Sequence, residues 1–381
     1  MSEIKVNSIK GVGASTAAIT VNNTDGSCAV NNTQRQGKNL VVNGAMTISQ
    51  RGSSFSNVSN NSYTLDRFIL FHTYGSTQMN VINSSQSPDG FSKSYKIDVN
   101  VADTSIGSGQ YVFIAHRIEA QNLQQLSYGT SGAKSLTLSF YVRSTTTGTY
   151  ALSIQQADNS SKQVSATYTI NSADTWERKT FTFAGDTSGV INNDNGTGLN
   201  IYWHLAAGSN FNSGTARSAW TAYADADSAA GHTANILSST SNNFHLTGVQ
   251  LEVGDHATDF EFLSHADELR RCQRYFARIP NQDASSGYAF LAQAAAHDTN
   301  SCLCTIPFPV FMRTNPSMST PGSLRLYDGG GITISSLILN SATVACATLQ
   351  ISSSSGIERY RALSLGQNND PDSAIDFYAE L

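Results

Sequence analysis

Along most of the chain, apolar and polar residues alternate with a period of two. The clearest case is residues 136–143, where Leu136, Leu138, Phe140 and Val142 point one way and Thr137, Ser139, Tyr141 and Arg143 the other. Alternation of this kind predicts a strand with one buried and one wet face. Leu152 and Ile154, Tyr168 and Ile170, and Phe181 and Phe183 repeat it, the last pair following Trp176-Glu177-Arg178. Strands recurring about every ten residues, with Gly, Asn, Ser and Asp between them, predict an antiparallel sandwich over residues 39–262. Its closing strand runs from Phe244 to the turn at Gly254. The connection 210–243 is long for a sandwich and shows no element of its own, the mark of a functional or mobile loop.

Similar patterns flank the sandwich. Ile4 and Val6, then Ile19 and Val21, alternate across a turn at Gly11 and Gly13, and Asp25-Gly26 signals a second turn. Strands this short cannot fold alone, so residues 1–38 are expected to pair with their own copies or with a neighbouring protein, the alternative being a disordered leader. Ser264 and Asp267 form a capping box with Asp in place of Glu, which starts a helix. Leu269, Cys272 and Phe276 share one face of it, Arg270, Arg271 and Arg274 lie elsewhere, and Pro280 stops it. The segment 263–280 therefore reads as a linker helix, either a spacer or a strut against symmetry mates. Residues 281–381 read as a second β domain. Pro307, Pro309 and Pro316 make 306–316 an edge or irregular segment. The alternation that closes the chain, 374–381, ties its end into that fold.

Charged residues are 13% of the chain, about half the usual share, with Ser, Thr, Asn and Gly in their place. Many extracellular and virion proteins keep solubility this way. A net charge of −5 argues against a nucleic-acid partner, and no apolar run is long enough for membrane insertion. Residues 1–6 lack the apolar core of a secretory signal, so synthesis in a cytoplasm and release by lysis are expected. The five cysteines form no disulfide framework; Cys302 and Cys304 read as small buried hydrophobes on one strand face.

No nucleophile elbow, zinc motif or phosphate loop occurs, so no catalytic or metal-binding residue is assigned and the chain is not read as an enzyme. Two groups of carboxylates, Asp225 with Asp227 and Asp255 with Asp259 and Glu261, keep one catalytic rival open, a polysaccharide depolymerase. Glycan binding fits the composition better. A sugar ring stacks on an aromatic side chain while amides and carboxylates take its hydroxyls. Tyr202-Trp203-His204, Trp220 and Tyr223 lie in or beside the long connection, and Trp203, His204, Trp220 and Tyr223 are the candidate ligand residues. For Trp203 the competing reading is a core position, and Trp176 reads as core. Asn43, Gln50, Arg51, Asp66 and Arg67 read as a structural hydrogen-bond network holding the first strands.

The stretch GVQLEVG…ATDFE…EL…CQRYF (248–276) resembles tail-fibre and appendage proteins of tailed bacteriophages of marine and cyanobacterial hosts. IKVNSIKG…AITVNNTDGS near the start, FPVFMRTNP and the closing AEL extend the likeness to all three modules. The order N-x-x-x-N-G, SFYVRS, WERKTFTF, GVQLEVG resembles jelly-roll carbohydrate-binding modules. The resemblance implies a mostly β chain: short N-terminal attachment strands, a central jelly-roll β-sandwich, a linker helix and a C-terminal β-sandwich. It implies that the first and last sandwich strands pair, setting Asn43-Gly44 beside Gln250-Leu251-Glu252, with a structural calcium admitted near them. By the same resemblance the chain is a homotrimeric tail fibre of the virion. Residues 1–38 would dock on other tail proteins, and the rest would contribute to recognising a host-surface glycan. The rivals are a purely structural decoration or collar protein, the depolymerase, and a cell-encoded carbohydrate-binding protein, which the missing export signal disfavours.

Overall fold

The computed structural model describes residues 37–75, 78–158, 161–280 and 287–381, with the strands Ser8–Ile9, Ile19–Val21 and Cys28–Val30. Those three strands form one antiparallel sheet in sequence order. Ile4, Val6 and the turns at Gly11, Gly13 and Asp25-Gly26 lie outside the described residues.

Two antiparallel sheets make the central sandwich. One runs Glu177–Phe183, Leu136–Ser144, Asn243–Val253, Ser94–Val99, Met79–Ser84, Ser54–Phe55. The other runs Thr221–Ala222, Lys162–Ile170, Gly148–Gln156, Thr197–Ala207, Tyr111–Glu119, Phe68–His72, Ser62–Tyr63. The repeated crossings from sheet to sheet give a jelly-roll arrangement. Between the sheets Leu136, Leu138, Phe140 and Val142 are fully buried, as the period of two requires. Phe140 meets Trp203 edge-on at 5.9 Å, and Phe68 lies 6.4 Å from the same indole, the tilted geometry that ring quadrupoles favour. The expected wet face of this strand is partly covered. Residues 254–262 cross it, Thr137 Oγ1 donates to the Gly254 carbonyl at 2.9 Å, and Thr137 and Ser139 are buried beneath them. Trp176 departs from its expected core position: it sits half-buried on the outside, edge-on to His245 at 5.7 Å.

The chain enters the sandwich where it leaves. Leu40 N donates to Leu251 O and Val249 N to Gly44 O, both at 2.9 Å. Asn39 Oδ1 accepts from Val41 N at 3.0 Å and Leu251 N at 3.1 Å. Gly44 lies so close to the last strand that an added Cβ would collide with the Val249 carbonyl oxygen. The entering chain does lie along the last strand, but shifted from the expected register: Gly44 meets Val249, Asn39 and Leu40 lie against Leu251, Asn43 turns to Ile48 and Asp66, and 39–50 forms turns and not a strand.

The C-terminal part again has two antiparallel sheets. A three-stranded one runs Phe276–Ile279, Ile375–Tyr378, Ser317–Ser319. A seven-stranded one runs Gly331–Thr333, Leu324–Tyr327, Ala362–Gln367, Phe290–Ala296, Ser301–Pro307, Cys346–Ser352, Ser336–Ala342. Cys302, Cys304, Ile306, Leu349, Leu365 and Phe377 belong to its core, and burial pushes both thiols up to about 11. The proline-rich segment is irregular only from Phe308 onward. Ile306 and Pro307 close a central strand, because a proline at the last position removes no interior rung.

The helix, His265–Gln273, starts as expected: Ser264 accepts from Asp267 N. It stops well before Pro280, since Phe276–Ile279 joins the sheet of Ile375–Tyr378. It is not a free linker. Leu269 and Cys272 pack on Val42 and Ile48, and Arg271 donates to Asn39 O at 3.0 Å. Arg274 Nε and Tyr275 Oη reach Glu119 Oε2, a fully buried carboxylate, at 2.9 and 2.8 Å.

The polar network expected around Asp66 closes this junction. Asp66 accepts from Gln50 N at 2.7 Å and Gln50 Nε2 at 2.6 Å, and that amide also donates to Phe276 O at 2.9 Å. Asn43 Nδ2 donates to Ile48 O and Asp66 O. Arg67 is 1% exposed, its guanidinium lies over the Tyr275 ring at 3.7 Å, and it pairs with Glu380. Burial opposes the Arg67 charge, but Glu380, Tyr63 and Tyr275 together outweigh it and raise the pKa. Arg51 Nη2 binds the same carboxylate at 2.8 Å, with its guanidinium 3.6 Å from the Phe276 ring.

Removing one partner of a buried pair strands the other charge. Glu380→Ala is therefore expected to cost about 3 kcal/mol in urea melts, whereas truncating the exposed Arg270 should change little. Histidine sets the pH dependence. Burial depresses His204 and His245 to about 3 and His232 to about 4, from 6.5. All three are neutral in the fold, so their stability is fully present above pH 6.5. It is lost as pH falls toward 4, because the unfolded chain binds protons the folded one refuses. Melting temperature should drop steadily from pH 6.5 to 4, each group contributing at most about 1.4 kcal/mol per pH unit. His232→Gln should flatten that slope.

Candidate functional site

The outer face of the seven-stranded sheet of the sandwich carries an aromatic strip. On Tyr111–Glu119 the side chains of Val112 and Ile114 turn inward, leaving Tyr111 and Phe113 outside. On the neighbouring strand Ile201 and Trp203 turn inward, leaving Tyr202 and His204 outside, with His204 opposite Phe113. Phe71 and Phe113 stack at 5.0 Å, Tyr111 and Phe113 also at 5.0 Å, and Tyr202 meets Phe113 edge-on at 5.1 Å.

The connection after this strand folds back over the strip. It contains the short helices Ser209–Asn212 and Asp225–Ser228 and the strand Thr221–Ala222, where the sequence showed no element. Phe211 packs edge-on against Tyr111 at 5.1 Å. The result is a cleft of about 210 Å³ between the strip and Tyr223, Asp225 and Ser228. Tyr223 is 39% exposed and donates from its hydroxyl to Asp225 Oδ1 at 2.7 Å. Tyr202 Oη donates to Gln155 Oε1 at 2.9 Å, and His204 Nε2 lies 3.2 Å from Ser153 Oγ. Burial pushes the Tyr202 hydroxyl up to about 12, and burial with the Asp225 carboxylate also raises Tyr223. Near neutral pH the cleft thus offers uncharged aromatic hydroxyls and a neutral imidazole beside the Asp225 side chain.

Of the four residues singled out in the sequence, the structure brings together His204 and Tyr223. Trp203 is fully buried in the core: neighbours on a strand face opposite ways, so Trp203 and His204 cannot both line one site. Trp220 is half-buried elsewhere, its indole N–H donating to Ala184 O at 2.8 Å and its ring edge-on to Tyr128 at 5.6 Å. Tyr111, Phe113 and Phe211 were missed. The signal available was a pair of aromatics at successive outward positions of one strand.

The two carboxylates of the first group face different ways. Asp225 faces the cleft, while Asp227 is turned to Arg217 Nε and Thr215 N, both at 2.7 Å, and these donors lower its pKa. Glu261 Oε2 accepts from Asn39 N at 2.8 Å and clasps the chain entry. Glu252 accepts from Gln250 Nε2 and Thr258 N, both at 2.9 Å, and from Thr258 Oγ1 at 2.7 Å. With these oxygens engaged by protein donors, the residues beside the first and last strands do not fit a calcium ion. Among the described residues no three His, Cys, Asp or Glu side chains converge.

No protein-family model matches the chain, and no curated protein matches it. Solved structures do. The enzymatically active domain of tailspike protein 4 from bacteriophage CBA120 is similar at 14% identity and a TM-score of 0.29, over 53% of this chain and 21% of that one. A putative sugar binding protein from Bacteroides thetaiotaomicron VPI-5482 is similar at 11% identity and a TM-score of 0.33, over 56% and 99%. A family 11 carbohydrate-binding module from Clostridium thermocellum, in complex with a β-1,3-1,4-mixed-linked tetrasaccharide, is similar at 9% identity and a TM-score of 0.28, over 54% and 98%. This chain therefore spans about a fifth of the tailspike domain's length, and all three likenesses are of fold alone.

Proposed function

We propose that this protein binds a glycan without cleaving it, as a surface appendage of a virion. The observation that carries the proposal is the cleft: Tyr111 and Phe113 of the aromatic strip face Tyr223 and Asp225 across it, Phe71 continues the strip beyond it, and Gln155 holds the Tyr202 hydroxyl at its floor. Aromatic faces take the C–H face of a sugar, and the carboxylate and amide take hydroxyls. A strip two stacking distances long suits a chain of several sugars better than one terminal ring. Asp225 is the carboxylate lining the cleft, whereas hydrolysis by the usual mechanism needs a pair, so the reading is one of recognition. In this reading residues 1–38 hold the chain to other tail proteins. Three copies, as the resemblance implies, would combine weak sites through effective concentration.

On a glycan array and in calorimetry, Tyr111→Ala and Tyr223→Ala should each weaken binding about tenfold or more, roughly 1.4 kcal/mol, with little change in melting temperature. Trp220→Ala should lower stability and leave affinity unchanged. A wild-type chain that retains no glycan, or one that releases reducing ends from it, refutes the proposal. Gold-labelled antibody to residues 281–381 should decorate the tail of assembled particles; labelling elsewhere on the particle favours a structural decoration protein.

A further inference from the structure

Each open sheet exposes two edges of unpaired backbone groups, and natural proteins blunt them with shortness, charge or proline. Among the described residues, the sandwich edges Thr221–Ala222, Ser62–Tyr63 and Ser54–Phe55 have two residues each. Its fourth edge, Glu177–Phe183, carries Glu177, Arg178 and Lys179. In the C-terminal part, Ser317–Ser319 and Gly331–Thr333 have three residues each, and Phe276–Ile279 holds Arg278.

The strand Ser336–Ala342 breaks this rule. It ends the seven-stranded sheet, is seven residues long, and reads Ser-Leu-Ile-Leu-Asn-Ser-Ala. It pairs on one side only, with Cys346–Ser352. Residues 329–357 contain no Asp, Glu, Lys, Arg, His or Pro. Ile338 is 51% exposed, and on the same face, beyond Gln350 of the intervening strand, Leu303 is 37% exposed. A bulge after Leu339 bends the far end and leaves 336–339 regular.

We infer that this edge pairs with the same edge of a second copy of this chain. An uncharged edge needs an uncharged match, and among the described residues the other edge of comparable length is the charged Glu177–Phe183. The sequence also matches itself. About a two-fold axis at Ile338, antiparallel pairing sets Leu337 against Leu339 of the partner subunit, and Leu339 against Leu337 of the partner subunit. Both leucines pack at the margin of the C-terminal core, so the two cores meet across the seam. On the outer face Ile338 meets Ile338 of the partner subunit, a cross-strand apolar pair. Two seven-stranded sheets become one, and the inference does not rest on the glycan cleft.

The test uses the full chain with Cys346→Ser, which removes the half-exposed thiol nearby. Under mild oxidation Ile338→Cys should convert most of the protein to a covalent dimer. Tyr360→Cys, at an 80% exposed position, should give only the background of random collision. A two-fold contact cannot be shared within one three-fold trimer, so in that assembly it joins chains of two trimers, and the 338–338 link reads this contact alone. Ile338→Lys should raise the dissociation constant of the pair at least a hundredfold in sedimentation, with the monomer's melting temperature unchanged. Linking by Ile338→Cys no greater than by Tyr360→Cys overturns the inference, as does an Ile338→Lys protein that associates as tightly as wild type through this domain.

Discussion

A guanidinium that cannot lose its proton is buried at Arg67, and the rest of the architecture answers to it. The carboxylate that balances it comes from Glu380, nearly at the other end of the sequence. Until those last residues arrive, the sandwich holds an uncompensated charge. The pair is hemmed by rings: Tyr275 lies under Arg67 and Phe276 under Arg51, so cation–π contact adds to charge pairing on a single carboxylate. Buried ion pairs are weak sources of net stability because desolvation consumes the Coulombic gain. Their effect here is to fix one arrangement of the two β parts. Arg313 reinforces it, donating to Ala379 O at 2.7 Å and Glu380 O at 2.6 Å. The two parts are thus covalently consecutive and electrostatically interlocked.

Much of the fold was legible because its rules are local. The period of two at 136–142 needs no partner to be read, and Ser264 announces a helix within its own turn. The set Asn43, Gln50, Arg51, Asp66 and Arg67 was recognisable as a polar network, because such residues among apolar strands must find one another. What no local pattern encodes is Glu380, since nothing near position 380 points to Arg67. The same blindness made the helix look like a linker: Arg271 and Arg274 lie off its apolar face, yet they bind the Asn39 carbonyl and Glu119.

The candidate cleft was half legible for a related reason. His204 and Tyr223 were found because they flank the long connection. Trp203 and Trp220 were chosen on the strength of their rings alone, where strand parity and packing against Tyr128 decide otherwise. Tyr111 and Phe113 were missed because outward positions on a strand normally face water. The fold places the connection over them, which turns an exposed strip into a recess. Trp176 shows the opposite error: an indole beside two core phenylalanines looked internal, but it faces His245 on the outer surface.

Gly44 has a further consequence. Because its bare backbone lies flush against Val249, the sandwich begins and finishes at one corner, with Gly37 and Glu261 touching. A module whose two ends coincide can be spliced into a longer polypeptide without displacing what flanks it. Here that freedom is curtailed by the arginines awaiting Glu380. Exchange among relatives should then move the jelly roll together with the tail that neutralises it, as a single heritable cassette.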